Sequence, residues 1–311
     1  MSMDTIYPEP PVLSSVEGVK EHPPNTSIGL ARTEGAAVPT VYGNSERPPR
    51  GDYLRDGQVA ADYTCPQNYA AYTPADHATY RALYERQSKL LPGLACDEFI
   101  AALPSLGAST YIPRFYDINE RLMKATGWQV VAVPGLIPEV PFFTLLANRQ
   151  FPVTDWIRKP EEFDYIVEPD VFHDLFGHVP LLFSPVFADH MQVYGAGGLK
   201  AHGLGACEQL ARLYWYTIEF GLMRQPDGLR AYGAGILSSS GELIHAVKSS
   251  KPQRIALDLL RCMRTRYNID SYQQTYFLID SFQHLFDITA QDFTPLYAQL
   301  KGLGGLDPAA P

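Results

Sequence analysis

Two histidines separated by four residues are the first candidates for chemistry in this sequence. His173 and His178 lie in the segment EPDVFHDLFGHVPLL, residues 168–182. On an ideal α-helix, side chains five positions apart point about 140° away from each other, so a regular helix would not aim both imidazoles at one ion. Gly177 can relax the backbone and Pro180 ends the helix soon afterwards. We therefore expect His178 to lie in a fraying last turn and to swing back toward His173, where the two rings could share a metal ion.

Glu219 is the third candidate, because it is the only charged residue in LYWYTIEFGLM, residues 213–223. A carboxylate among apolar side chains is unfavourable unless it is protonated, hydrogen-bonded or bound to a cation. Two imidazoles and one carboxylate from a neighbouring helix form a facial set with three open positions, as non-haem iron(II) oxygenases require. The residues alone leave zinc open as the metal. They also leave open hydrogen-bonded core histidines and a glutamate paired with Arg212 or Arg224.

Two other function classes fit less well. A zinc hydrolase needs a general base beside the metal-bound water, and HDLFGH offers only Asp174 for that role. A structural zinc site usually closes around four ligands, often cysteines. No cysteine adjoins the histidine motif, and the four in the chain form no CxxC pair: Cys65, Cys96, Cys207 and Cys262.

Composition limits the remaining classes. The chain has 311 residues, of which 46% are hydrophobic, so it can bury a substantial core. Its net charge is -9 and it has no cluster of Lys and Arg, which argues against a nucleic-acid partner. We see no signal-peptide pattern and no apolar run near the roughly 20 residues that span a bilayer. These features predict a cytoplasmic protein with reduced thiols and no membrane partner.

The elements that must position these side chains are mainly helices with a few short strands. Residues 1–55 are rich in proline and predict a flexible tail, and residues 56–311 predict a single catalytic domain. Thr73-Pro74 with Asp76 is a strong helix start. The pattern is not a βαβ alternation, so we expect no doubly wound sheet. We expect helices near 74–91, 96–103, 113–125, 141–148, 169–178, 185–195, 206–224 and 253–267, strands near 128–133, 150–157 and 272–279, a loop or hairpin over 231–242, and two short helices near the end.

Several segments together resemble one known family. The chain is similar to the pterin-dependent aromatic amino acid hydroxylases, and most of all to their bacterial phenylalanine 4-hydroxylases, from about residue 69 to 299. The order and spacing match, and the set is far more specific than HDLFGH alone. The segments are VPGLIP (133–138), FPVTDWIR (151–158), EPDVFHDLFGHVPLL (168–182), ARLYWYTIEFGL (211–222) and YGAGILSSSGE (232–242).

The resemblance implies a ligand set and a cofactor. It implies that iron(II) is bound by the two histidines and by Glu219, already singled out above. It also implies tetrahydrobiopterin or a related reduced pterin, stacked on Phe142 and lined by the backbone around Gly135 and Leu136. Without the family, Phe142 would be assigned to the core.

The same resemblance implies how the substrate is held. Arg158 and Ser238 match residues that bind the substrate carboxylate, and Trp215 matches a tryptophan near the substrate ring. Arg158 has the planar fork that grips a carboxylate, although a surface pair with Glu161 or Glu162 would be the simpler interpretation.

Two further residues complete the expected catalytic group. Tyr214 matches a tyrosine close to the iron, and Asp170 matches an acid that orients the first histidine. Asp170 lies three positions before His173, on the same side of the predicted helix, so it could fix the tautomer of that ring.

The activity implied is conversion of L-phenylalanine to L-tyrosine with O2, in phenylalanine breakdown or tyrosine synthesis. Tyrosine or tryptophan hydroxylation is the alternative, because the iron ligands are shared and the preference depends on pocket shape. The region before the domain is too short for a regulatory domain, and no long heptad helix closes the chain. Both features predict a constitutively active monomer whose only partners are small molecules.

Overall fold

The structure is a computed structural model that describes residues 59–309, except Tyr165, Val167 and Asp270, together with two short strands near the N-terminus. These strands, β1 (Val38–Thr40) and β2 (Gly43–Ser45), pair antiparallel. The chain divides into a unit of residues 1–31 and a unit of residues 32–311. The first unit lies outside the described residues. The predicted tail, residues 1–55, also lies outside them apart from this strand pair.

The first helices form where their sequence signals predict. Helix α1 (Pro74–Leu90) begins with a capping box, in which the Thr73 side chain accepts from the Asp76 backbone N–H and the Asp76 carboxylate accepts from the Thr73 backbone N–H. Helix α2 (Asp97–Ala102) follows. Helix α3 (Phe115–Thr126) ends at Gly127, whose φ of 73° is the left-handed conformation that favours glycine at a helix end.

A parallel strand pair then sets one edge of the site. Strands β3 (Gln129–Val133) and β4 (Gln150–Thr154) pair along their whole length, and helix α4 (Glu139–Ala147) connects them. Because the strands are parallel, the loops that follow them leave from the same edge. These loops carry the VPGLIP turn and Arg158.

Helix α5 (Pro185–Gly203) packs closely against α4, and glycine makes that approach possible. A Cβ on Gly195 would lie 2.4 Å from the backbone N of Ala147, and one on Gly198 would lie 2.2 Å from the Phe143 ring. The predicted end of this helix near residue 195 is therefore wrong. The glycines serve helix packing, and the helix continues through them because that packing outweighs their low helix propensity.

The long helix predicted over 206–224 is also wrong in its second half. Helix α6 (Cys207–Tyr214) runs into one π-helical turn (Trp215–Glu219), and the Phe220 N–H then donates to the carbonyl of Trp215. The chain next enters strands β5 (Leu222–Gln225) and β6 (Gly228–Ala231), which pair antiparallel.

The chain then alternates between short helices and strands. Helices α7 (Ala234–Leu237) and α8 (Ser240–Lys248) replace the loop predicted over 231–242. Strand β7 (Gln253–Ala256) and helix α9 (Leu259–Arg264) replace the single helix predicted over 253–267. The side chain of Asp258 caps α9 by accepting from the backbone N–H of Arg261, which starts a separate helix there.

Strand β8 (Thr275–Ile279) completes a four-stranded sheet in the order β6-β5-β8-β7, parallel except for the β5–β6 pair. Helices α10 (Phe282–Thr289) and α11 (Thr294–Leu300) follow, as predicted. The fold is mainly helical with a few short strands, which confirms the expected class. Within the described residues, no helix combines the length and apolar character needed to cross a bilayer.

Candidate metal centre and active site

The two histidines of HDLFGH lie on a π-helical turn, His173–His178. A π-helical turn closes with i→i+5 hydrogen bonds, so residues five apart come to the same side of the backbone. The ring centroids of His173 and His178 are 5.1 Å apart. The convergence expected from the sequence therefore occurs, but its cause is the wider helical turn. His178 is buried and continues directly into a 3₁₀ segment, Val179–Phe183, so the predicted fraying end is wrong.

Gly177 has a steric role in this turn. A Cβ at this position would lie 2.9 Å from the carbonyl oxygen and 3.0 Å from the Cβ of Ala234, in helix α7. The close packing of α7 on the π-helical turn thus requires glycine. Backbone relaxation, which the sequence suggested, is not needed to explain it.

Glu219 ends the second π-helical turn and points its carboxylate at both rings. Its Oε1 lies 3.0 Å from Nε2 of His178, and its Oε2 lies 3.6 Å from Nε2 of His173. The three ligand atoms lie within 4.8 Å of one another. Two ligands about 2.1 Å from an octahedral ion and at right angles would be about 3 Å apart, so small movements bring all three to one ion.

The polar atoms at this centre suit a bound cation. Within the described residues, Nε2 of His173 and Nε2 of His178 are buried and have no hydrogen-bond partner, and the 3.0 Å contact with Glu219 lacks hydrogen-bond geometry. Unpaired buried polar atoms are unfavourable, and a metal ion would remove that penalty. Burial lowers the pKa of His173 to about 4, so its ring is neutral, as a metal ligand must be. The donor set fits iron(II).

Ser238 fixes the tautomer of His173. Its Oγ lies 2.8 Å from Nδ1 of the histidine, and its hydroxyl donates to the carbonyl of Ala234 at 2.8 Å. Because the single hydroxyl proton goes to Ala234, Nδ1 must carry a proton and donate to Ser238. Nε2 then keeps its lone pair for a metal. The sequence linked Ser238 only to the substrate.

Asp170 contacts a different part of His173 than expected. Its Oδ1 accepts from the backbone N–H of His173 at 2.9 Å. Both carboxylate oxygens also bind the guanidinium of Arg158, through Nε at 2.8 Å and Nη2 at 2.9 Å. Burial opposes ionisation here, but the adjacent guanidinium holds the pKa of Asp170 below its ordinary value. Asp170 therefore fixes the backbone of the first ligand and the position of Arg158, while Ser238 takes the contact with the ring.

Arg158 is almost fully buried, with 4% of its side chain exposed, so it is not the surface residue that the simpler interpretation assumed. Its pairing with Asp170 uses Nε and Nη2 and leaves Nη1 outside the pair. A guanidinium held on one side by a carboxylate is rigid and can present its remaining edge to a second carboxylate.

Asp174 ties the π-helical turn to strand β4. Its Oδ2 accepts from the backbone N–H of Thr154 at 2.7 Å, and burial raises its pKa to about 7. The carboxylate is thus used to join two elements. This is a poor match for the general base that a zinc hydrolase would need.

An aromatic chain leads from Phe142 to the histidines. The Phe142 ring lies 5.7 Å from the Tyr214 ring, which in turn lies 6.4 Å from the His178 ring. In the described part of the chain, the aromatic contacts of Phe142, with Phe143 and Tyr214, are both T-shaped. No neighbouring aromatic ring stacks on it in parallel, which suits a planar ring as ligand.

The VPGLIP turn supplies the second part of this wall. Gly135 has a φ of 154°, which disfavours a side chain, and the half-buried Leu136 follows it. Trp156 holds the turn by donating its indole N–H to the carbonyl of Pro134 at 3.2 Å. Gly135, Leu136 and Phe142 together fit a flat heterocycle such as a pterin.

Trp215 is held by residues that the sequence did not single out. Its indole N–H donates to the side-chain oxygen of Gln273 at 3.0 Å, and its ring stacks on Tyr267 at 4.2 Å. The backbone N–H of Gln273 donates to the buried carboxylate of Glu242. No local pattern could have revealed this link, since these contacts join residues far apart in the chain.

Comparison with known proteins gives the family and the fold. The family described as biopterin-dependent aromatic amino acid hydroxylase matches residues 50–295. A protein named phenylalanine-4-hydroxylase from Ralstonia nicotianae is 61% identical over 250 residues, which cover 80% of this chain and 80% of that protein. One of the same name from Chromobacterium violaceum is 60% identical over 242 residues, covering 78% of this chain and 82% of that protein.

A solved structure gives the same result for the fold. The iron- and phenylalanine-bound crystal structure of phenylalanine hydroxylase from Chromobacterium violaceum superposes with a TM-score of 0.79 at 54% identity. The match covers 84% of this chain and 97% of that one. At this identity and coverage, the relatedness extends over most of the chain.

Proposed function

The chain belongs to the biopterin-dependent aromatic amino acid hydroxylase family, and on that premise we propose that it is a phenylalanine 4-monooxygenase. The reaction converts L-phenylalanine to L-tyrosine with O2, iron(II) and a reduced pterin. The names of the relatives support phenylalanine as the substrate in preference to tyrosine or tryptophan.

One observation carries the proposal beyond the family name. Two buried imidazole nitrogens, which have no hydrogen-bond partner among the described residues, and one carboxylate converge within 4.8 Å. His173, His178 and Glu219 would hold iron(II), and a facial set of three ligands leaves positions open for oxygen and water. A closed structural site would not leave such positions.

The chain's own residues supply orientation and a stable tautomer. Ser238 accepts the Nδ1 proton of His173 and so keeps Nε2 available to the metal. Arg158, held by Asp170, would bind the substrate carboxylate through Nη1. Ser238 would stand beside that carboxylate, although its one hydroxyl proton is already used by Ala234. Trp215, fixed by Gln273, would form a wall for the substrate ring.

The cofactor residues belong to the same arrangement. Iron(II) and the reduced pterin, when bound, would activate O2, so that one of its oxygen atoms enters the aromatic ring while the pterin supplies the two electrons that reduce the other. Phe142 would stack on the pterin, with the backbone at Gly135 and Leu136 alongside it. Tyr214 lies between Phe142 and His178, and its buried ring excludes water from that gap.

The test is an assay of the purified enzyme with iron(II), a reduced pterin and, separately, phenylalanine, tyrosine and tryptophan, with products identified by mass. We expect tyrosine formed from phenylalanine to dominate. A stronger turnover of tryptophan would assign the chain to a different substrate, and no hydroxylated product from any of the three would refute the proposal.

Glu219→Ala provides the matching test of the metal site. The variant should lose more than about 100-fold in iron affinity and lose turnover with it, since a protein ligand contributes more than the outer residues that orient it. Iron content by mass spectrometry and turnover are measured together. If iron(II) gave the metal-free wild-type enzyme no hydroxylation activity and zinc gave it hydrolytic activity, a zinc hydrolase would be favoured instead.

We also propose that the protein acts as a monomer in the cytoplasm, with small molecules as its only partners. Light scattering of the iron-loaded enzyme would give the mass of one chain, 34.6 kDa. Cell fractionation would test the location.

A further inference from the structure

A second group of metal-binding side chains lies outside the proposed centre and shares no residue with it. Glu139 is the first residue of α4, His202 lies in the last turn of α5, and Cys207 is the first residue of α6. One ligand atom from each lies within 4.8 Å of the other two. Nothing in the proposed reaction uses these three residues.

The separations are close to those of a tetrahedral zinc site. Nδ1 of His202 lies 3.8 Å from Oε2 of Glu139 and 3.8 Å from Sγ of Cys207. With Zn–N and Zn–O near 2.0–2.1 Å and Zn–S near 2.3 Å, tetrahedral ligands are about 3.4–3.6 Å apart. The 3.8 Å contact between nitrogen and oxygen is too long for a hydrogen bond. A movement of a few tenths of an ångström would allow all three to bind one ion.

The fold holds two of the three ligands in place without an ion. The turn between α5 and α6 is closed by backbone bonds from Gly205 N–H to the His202 carbonyl and from Ala206 N–H to the Ala201 carbonyl. Gly205 adopts a φ of 66°, which favours glycine. Since the turn is short and closed, His202 and Cys207 stay close together, and the packing of α4 on α5 brings Glu139 to them.

Access and charge also suit a cation. The His202 side chain is 55% exposed, whereas that of Glu139 is 15% exposed, so an ion can enter from solvent and reach a partly desolvated carboxylate. Cys207 is half-buried, so its thiol also lies within reach of an ion from solvent. A divalent ion would displace the thiol proton, as metals do when thiols bind them.

We propose that Glu139, His202 and Cys207 form a second metal site, which binds zinc(II) through a thiolate, an imidazole and a carboxylate. The thiolate distinguishes it from the centre at His173, because sulfur ligands favour zinc and other soft ions over iron(II). Three protein ligands leave a fourth position for water. Bound zinc links the α5–α6 turn to the start of α4, three residues before Phe142.

Cobalt(II) is the probe for this site. The enzyme is first loaded with iron(II) without oxygen, so that the centre at His173 is filled, and cobalt(II) is then titrated in. A cobalt–thiolate bond gives a charge-transfer absorption in the near ultraviolet that the sulfur-free centre at His173 cannot produce. We expect the absorption to saturate at one equivalent of cobalt and to disappear on addition of one equivalent of zinc.

Matched variants identify the ligands. Cys207→Ser should abolish the absorption, and Cys65→Ser, which alters another half-buried cysteine, should retain it. His202→Ala, at an exposed position, should weaken cobalt binding at least about tenfold. Phenylalanine hydroxylation by Cys207→Ser checks that the variant is folded.

Three results would overturn the second site. One is the absence of any thiolate absorption in the wild-type enzyme. Another is an absorption that persists in Cys207→Ser. The last is unchanged cobalt affinity in both His202→Ala and Glu139→Gln, two changes near the surface that keep the thiol in place.

Discussion

At the scale of single residues, the contacts around His173 give Ser238 the tautomer role that the sequence analysis assigned to Asp170. Ser238 meets the ring at Nδ1, and Asp170 meets the backbone N–H. The first contact sets the tautomer and therefore the lone pair on Nε2, whereas the second positions the turn and Arg158. A change at Ser238 should thus act first on the metal and only then on the substrate.

Ser238→Ala should weaken iron(II) binding about 10–100-fold, because Nδ1 loses its acceptor and the other tautomer becomes accessible. Isothermal titration calorimetry with iron(II) under anaerobic conditions measures this affinity directly. Turnover at saturating iron should recover most of its rate, and the KM for phenylalanine should change less than the iron affinity.

Ser239→Ala is the control, since the side chain of that serine caps helix α8 by accepting from the backbone N–H of Glu242. It should cost about 1 kcal/mol of unfolding free energy and leave iron binding unchanged. If Ser238→Ala instead raised the KM for phenylalanine while iron affinity stayed the same, Ser238 would be a substrate anchor and the tautomer argument would be wrong.

At the scale of elements, both segments that carry the proposed ligands are π-helical turns. Each inserts an extra residue into a helical turn, so that His173 and His178 share one side and Glu219 points back at them. Such turns are rare and less favourable than α-helix, and they persist where tertiary packing holds them. The packing of α7 on the first turn is one such constraint.

Gly177→Ala tests that constraint. The added methyl would lie 2.9 Å from a backbone oxygen of Ala234, which cannot move as a flexible side chain would. We expect a loss of about 1–3 kcal/mol in unfolding free energy, together with weaker iron binding. Urea unfolding and metal titration measure the two effects.

Gly197→Ala is the matched control in helix α5, because nothing lies within 4 Å of its added Cβ. Replacing a helical glycine at an open position should stabilise the protein by about 0.5–1 kcal/mol and leave iron binding unaltered. If Gly177→Ala and Gly197→Ala had the same unfolding free energy and the same iron affinity, the packing of α7 would not be what holds the π-helical turn.

At the scale of the whole molecule, a buried carboxylate joins α8 to β8 behind Trp215. Glu242 accepts from the Tyr276 hydroxyl at 2.5 Å and from the Gln273 backbone N–H at 3.1 Å. Burial raises the pKa of Glu242 to about 7, against these two hydrogen bonds, which lower it. The folded state therefore binds a proton that the unfolded chain releases near its ordinary pKa of about 4.3.

This raised pKa gives stability a defined pH dependence. The stabilising contribution of Glu242 to the unfolding free energy is fully present at pH values below the pKa that this residue has in the unfolded chain. It is lost as pH rises through about 7, the pKa in the folded state. Wild-type unfolding free energy should thus fall by roughly 1–3 kcal/mol, relative to Glu242→Gln, between pH 4.5 and 7.5. Urea unfolding at several pH values measures the difference, with Glu85→Gln as an exposed control. A difference between wild type and Glu242→Gln that does not change with pH would contradict the shifted pKa.

Local signals determined much of the helical framework. The cap at Thr73, the glycine end at Gly127 and the β-branched run before VPGLIP each act over a few neighbouring residues, so they could be read without the fold. The same holds for the isolated carboxylate of Glu219, whose unfavourable apolar surroundings are a property of its own segment. The five segments from VPGLIP (133–138) to YGAGILSSSGE (232–242) were sufficient to identify the family.

Tertiary contacts decided the rest. The helix predicted near 185–195 continues to Gly203, and Gly195 and Gly198 lie in it because α4 packs against them. The sequence predicted that His173 and His178 converge, but the π-helical turn that brings the two rings to the same side depends on the packing of α7. Two stretches predicted as helix form strands β5 and β7, because each pairs with β8. Strand β8 lies far away in the sequence, so local patterns could not reveal these pairs. Capping and residue spacing are local, whereas close packing, strand pairing and the partners of Ser238 and Gln273 exist only once distant segments meet.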